Sequence, residues 1–174
     1  MTLQIRAREP EDDAIVERLL RDSWGDTMVV SRGRLQDARL LPGFIAVDGG
    51  TLAGLVTYRV HKGSSPADGL EMEVVTMDAV ASRRGIGSAL LHAAFAQAAG
   101  QSCRRVWLIT TNDNVAAQGF YARNGMQLVA VHSDALDRSR QLKPSIPFNA
   151  DNGVPIRDEW EYELLLDPDV EAPT

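Results

Sequence analysis

Leu70-Glu71-Met72-Glu73-Val74-Val75-Thr76-Met77, then Ser82-Arg83-Arg84-Gly85-Ile86-Gly87, then Ser88 to Ala99 is the stretch that decides the fold. The first segment is rich in valine and threonine and reads as a strand. The last spaces Leu90, Leu91, Ala94, Phe95 and Ala98 along one helical face, with Gly100 placed to cap its end. A glycine-rich turn joins them. Such a turn aims successive backbone N–H groups at one point, and the helix that follows adds the positive end of its dipole. Glycine removes the Cβ that would hold a ligand away from the backbone. Arg83 and Arg84 add charge, so residues 83–88 read as a cradle for a pyrophosphate. A Rossmann fingerprint would need a small residue where Leu90 stands, and the lysine of a P-loop is absent.

Upstream, Leu3 to Arg6 alternates as a short strand. Glu9-Pro10-Glu11-Asp12 opens a helix, with Ile15, Leu19 and Leu20 on one face and Ser23 to Asp26 at its end. Residues 28–41 are ambiguous, and Leu35, Ala38 and Leu41 allow a second short helix. Residues 44–60 predict a hairpin turning at Asp48-Gly49-Gly50. Downstream, a strand is expected over 105–110, a helix over 115–124, a strand over 128–132, a short helix over 134–142, and a last strand over 160–166. This mixture is α+β (mixed α/β) in class.

The chain of 174 residues carries 18 Lys plus Arg against 24 Asp plus Glu, a net charge of −6. That length suits one domain, 1–174, with an extended loop and helix at about 133–159. An acidic chain argues against nucleic acid as a partner. No apolar run approaches the roughly 20 residues that span a bilayer, so no membrane partner is expected either. The single cysteine, Cys103, excludes an internal disulfide and fits a reduced, cytoplasmic setting. His61, His92 and His132 show no ligand spacing, and no metal is expected.

The second informative unit is Asn114-Val115-Ala116-Ala117-Gln118-Gly119-Phe120-Tyr121-Ala122-Arg123-Asn124-Gly125-Met126. With the glycine turn it resembles the GNAT superfamily of N-acetyltransferases. That family carries Gln/Arg-x-x-Gly-x-Gly/Ala after its fourth strand and then Asn-x-x-Ala-x-x-x-Tyr-x-x-x-Gly-Phe. Asn114, Ala117, Tyr121 and Gly125 match in register, while Ser82 and Met126 depart from the pattern. The resemblance implies a twisted mixed sheet of six to seven strands flanked by helices and split between the fourth and fifth strands. It implies acetyl-CoA as cosubstrate, with pantetheine near Met77 and Ala79 and pyrophosphate against Arg83, Arg84, Gly85, Ile86, Gly87 and Ser88. Asn114, Ala117 and Tyr121 would complete the cofactor site. Dimers are common in the family, so a homodimer is expected.

Acetyl transfer needs a neutral amine, yet an amine such as lysine's, with a pKa of about 10.4, is almost wholly protonated at neutral pH. A carboxylate can take the proton. Glu73 is the first candidate and Glu71 the second, two apart on one strand face. In the resembled family the tyrosine at Tyr121 hands a proton to the leaving thiolate. A phenol near pKa 10 is neutral and able to do so. With one cysteine and no matched histidine, direct transfer in a ternary complex is expected.

Between the last two expected strands, Leu142-Lys143-Pro144-Ser145-Ile146-Pro147 and Pro155-Ile156-Arg157-Asp158-Glu159 resemble the tails of a group of bacterial GNAT-like proteins with no assigned substrate. Arg138, Lys143 and Arg157 there, with Arg32 in the 28–41 stretch, are the expected acceptor-binding residues, and Asp158 and Glu159 could instead meet an amine. The acceptor is expected to be an amine of a small molecule or peptide. The alternative is a non-catalytic acyl-CoA-binding or regulatory module that keeps the cradle without the chemistry.

Overall fold

Chain order runs β1 (Leu3–Ala7), α1 (Asp13–Trp24), β2 (Met28–Ser31), β3 (Arg34–Asp37), β4 (Gly43–Asp48), β5 (Thr51–Lys62), β6 (Leu70–Ala79), α2 (Ile86–Gly100), β7 (Cys103–Thr111), α3 (Val115–Arg123), β8 (Gln127–His132), α4 (Ala135–Leu142) and β9 (Glu159–Leu165). These elements belong to a computed structural model, which describes residues 2–80 and 85–167. Seven strands form one sheet in the order β1-β4-β5-β6-β7-β9-β8, and β2 pairs with β3. With the four helices this is the expected α+β class, a mixed sheet flanked by helices. The chain divides into two compact units: Met1–Met28, Asp37–Val106 and Leu165–Thr174 in the first, Val29–Gln36 and Trp107–Leu164 in the second.

In the first unit, β1, β4, β5 and β6 pair antiparallel in succession. The expected hairpin turns at Gly49 and Gly50, both with positive φ, as a tight reversal requires. The helix α1 buries Val16 and Leu20, four residues apart. Ile15, expected on that face, is exposed, because the buried stripe is centred one residue further along. Asp12 starts this region, and the bidentate guanidinium of Arg6 at 2.7 and 2.8 Å holds its carboxyl below the usual range.

The helix α2 packs across β4, β5 and β6 and buries Ile86, Leu90, Leu91, Ala94, Phe95 and Ala98. Its seat on β5 is Gly54. A Cβ there would stand 2.7 Å from the Asp78 carbonyl oxygen, 2.8 Å from Leu90 Cδ1 and 3.1 Å from Ile86 Cγ2. Gly100 is the last helical residue rather than a left-handed cap, and the positive φ falls on Ser102 instead.

Residues 28–41, of which 29–36 belong to the second unit, do not form the second short helix that Leu35, Ala38 and Leu41 allowed. They form β2, β3 and a 3-10 turn over Ala38–Leu40. Arg32 and Gly33 both take positive φ, 49° and 74°, the two-residue reversal that matches strand twist. Burial then follows a period of two, with Val29, Ser31 and Gln36 inside. β8 pairs antiparallel with β9, His132 standing opposite Glu159.

Replacing Gly54 with Ala should cost about 1–3 kcal/mol, because the nearest obstacle is a backbone carbonyl that cannot step aside. Urea unfolding checks this, and an unchanged midpoint would show that α2 has room to shift.

Candidate active site

β6 places two carboxylates inside the first unit. Glu73, 1 % exposed, accepts from Arg59 Nη2 at 2.8 Å and Nε at 3.3 Å. Glu71, also buried, lies 3.0 Å from Arg105 Nε. Charges buried this deeply are tolerated only with partners, and each has a guanidinium. Further along the strand, Met77 is half-buried and Ala79 exposed. Asp78 between them accepts from Trp24 Nε1 at 2.6 Å, and burial pushes its carboxyl above the usual range despite that bond. Cys103 is buried, and burial with nearby Glu71 pushes its thiol up, which suits packing and not nucleophilic work.

The turn before α2 is described from Gly85. This residue has φ 70°, and the helix opens with no side chain capping it. The N–H groups of Ile86, Gly87 and Ser88 thus lie in the first, dipole-positive turn. Arg83 and Arg84 lie outside the described residues.

The second unit holds the tyrosine. Asn114 Oδ1 accepts from Ala117 N at 3.2 Å and caps α3. Gly125, with φ 87°, ends the helix, and Met126 is buried where the expected motif has phenylalanine. Tyr121 is buried, 5.4 Å from Phe120 and 6.0 Å from Tyr162 between ring centres. Strand alternation sets Tyr162 on one face of β9 and Glu159 and Glu161 on the other.

On that other face lies a cavity of about 450 Å³, lined by Arg32, Gly33, His132, Asp134, Arg138 and Glu159 among others. Glu159, 2 % exposed, accepts from Arg32 Nη1 at 3.2 Å and from Ser139 Oγ at 3.3 Å. His132 Nε2 lies 2.8 Å from Glu161 Oε2. The loop before β9 is pinned by Asn112, whose Oδ1 accepts from Arg157 N at 2.9 Å and Asp158 N at 3.0 Å. Arg140 also holds it, donating to the Pro147 and Ile156 carbonyls and stacking on Phe148 at 4.4 Å.

The Acetyltransferase (GNAT) family profile matches residues 7–126. The Bacillus subtilis protein YdhI is 37 % identical over 162 residues, covering 90 % of this chain and 96 % of its own. The chain belongs to the GNAT acetyltransferase family. The fold agrees with that of Arabidopsis thaliana NAA60 in complex with a bisubstrate analogue, at a TM-score of 0.70, 20 % identity, 97 % of this chain and 100 % of that one. It also agrees with a Bacillus subtilis acetyltransferase in complex with CoA, at a TM-score of 0.64, 17 % identity, 95 % of this chain and 99 % of that one.

The GNAT match stops at Met126, so β8, α4 and β9, with most of the cavity lining, lie beyond it. Of the expected acceptor residues, Arg32 and Arg138 meet in the cavity, whereas Lys143 and Arg157 do not line it. His132 lines it and Ser139 supports its Glu159, both from positions with no local signal. No helix among the described residues is long and apolar enough to cross a membrane, and none of their His, Cys, Asp or Glu side chains cluster as a metal site would need.

Replacing Arg59 with Met takes the guanidinium partner from the buried Glu73 carboxylate and should cost about 3–5 kcal/mol. Adding Glu73→Gln should restore most of that loss in denaturant titrations. A double variant as unstable as the single one would show that the pairing contributes nothing.

Proposed function

We propose that this chain moves an acetyl group from acetyl-CoA to a primary amine of a small molecule or peptide, by direct transfer in a ternary complex. The observation that carries the reading is the uncapped N-terminus of α2 at Gly85, directly after β6, in a chain that also presents Asn114, Ala117 and Tyr121 in the family's order. The amides of residues 86–88 would hold the pyrophosphate, assisted by Arg83 and Arg84. Met77 and Ala79 would run along the pantetheine arm. The CoA held by the similar Bacillus subtilis acetyltransferase supports the same cosubstrate here.

Tyr121 would protonate the departing thiolate. Its burial against Tyr162 and Phe120 limits the rotamers of the ring and fixes where the hydroxyl can point. Asn114 caps the helix that carries Tyr121, so it positions that ring whether or not it also touches CoA. Arg32 and Arg138 would border the acceptor, as would Glu159. A homodimer is supported by Leu128, Val129 and Val131, exposed on β8, the last strand in the sheet order.

Thiol release from acetyl-CoA, followed with a diamine, an amino acid and a short peptide with a free N-terminus, tests the reading. Tyr121→Phe should lower turnover about 10²–10⁴-fold while CoA affinity by calorimetry stays within a few-fold. Undiminished turnover would remove the tyrosine from the reaction. CoA binding without turnover on any amine would leave a binding module.

A further inference from the structure

The carboxylates that the sequence offers as bases are already occupied. Glu73 is held by Arg59, Glu71 by Arg105, and Glu159 by Arg32 and Ser139. A buried carboxylate already beside a guanidinium is less available to an incoming ammonium. The cavity of the second unit nevertheless holds a group suited to the task. His132 lines it, and its Nε2 lies 2.8 Å from Glu161 Oε2. When Nε2–H donates to that carboxylate, the lone pair sits on Nδ1, and no described residue hydrogen-bonds to Nδ1. The pair is partly shielded, with side-chain exposures of 25 % for His132 and 13 % for Glu161. An imidazole oriented by a carboxylate is the commonest device for moving a proton at neutral pH.

We propose that His132, oriented by Glu161, accepts the proton of the acceptor ammonium in this cavity. The proposal rests on the acetyl-transfer reading. The ammonium gives one proton to Nδ1 and becomes a neutral amine, and Glu161 balances the imidazolium that forms. The amine lone pair makes the N–C bond, the C–S bond breaks, and the thiolate leaves with the electron pair. Tyr121 gives its proton to the thiolate and is reprotonated from water, while the second amine proton and the one held by the imidazolium both pass to water. The products are amide, free thiol and one released proton. Around the imidazole, Glu159 and Glu161 come from β9, Asp134, Asp137 and Arg138 from the start of α4, and Arg32 from the hairpin. In this cavity Glu161 is a positioning residue, and His132 is the catalytic one.

The test compares wild type, His132→Gln and Glu161→Gln on the three amines named above, with CoA affinity as the check on folding. His132→Gln should lower kcat about 10²–10⁴-fold without changing the KM for acetyl-CoA. Glu161→Gln should lower kcat by about 10-fold or more while leaving the KM for acetyl-CoA unchanged, a loss that Glu161→Asp should partly restore. This second variant decides the matter if His132→Gln fails to fold. Turnover undiminished in His132→Gln, or undiminished in Glu161→Gln, overturns the base and leaves acetyl transfer standing. Absence of turnover in wild type on every amine overturns both.

Discussion

The first turn of α2 sits on β5 at a point where no side chain fits. Gly54 leaves the space that Ile86 and Leu90 fill, against the backbone of Asp78 on the next strand. Because those two leucine-sized groups are fully buried, the helix cannot slide along its axis without opening a void. Its N-terminus is therefore held at Gly85, a residue that adopts a left-handed backbone and brings no side chain to block or cap the amides. The residues that seal the helix to the sheet also decide where the N–H groups of its first turn open.

A second regularity is the pairing of buried carboxylates with arginines from neighbouring elements. Glu73 meets Arg59 across β5 and β6, Glu71 meets Arg105 on β7, and Glu159 meets Arg32 of the hairpin. Each pair links two different elements while keeping a charge inside, and the Glu159–Arg32 pair spans 127 residues of sequence. Glu161 differs in meeting an imidazole, that of His132. A chain of net −6 can hold so many carboxylates in its interior because its arginines are spent on them.

Much of this was legible in the sequence. Asn114, Ala117, Tyr121 and Gly125 stand in the family's order, and the strand, glycine turn and helix over 70–100 carry local signals of periodicity and turn chemistry. The hairpin over 28–37 did not, since the spacing of Leu35, Ala38 and Leu41 mimics a helical face. What decides it is a pair of left-handed residues, one of them an arginine. His132 was equally opaque. Its partner Glu161 lies 29 residues away, and only the register of β8 on β9 brings them together. The arginine partners of Glu71 and Glu73 are also cross-strand facts, invisible until the sheet order is known.

The account stands on the claim that the amides opening α2 hold the pyrophosphate of CoA. A crystal structure of the protein with CoA is the direct measurement. The account predicts pyrophosphate oxygens within hydrogen-bond distance of the N–H groups of residues 86–88. A CoA bound with its pyrophosphate elsewhere, and those amides left to water, would contradict it.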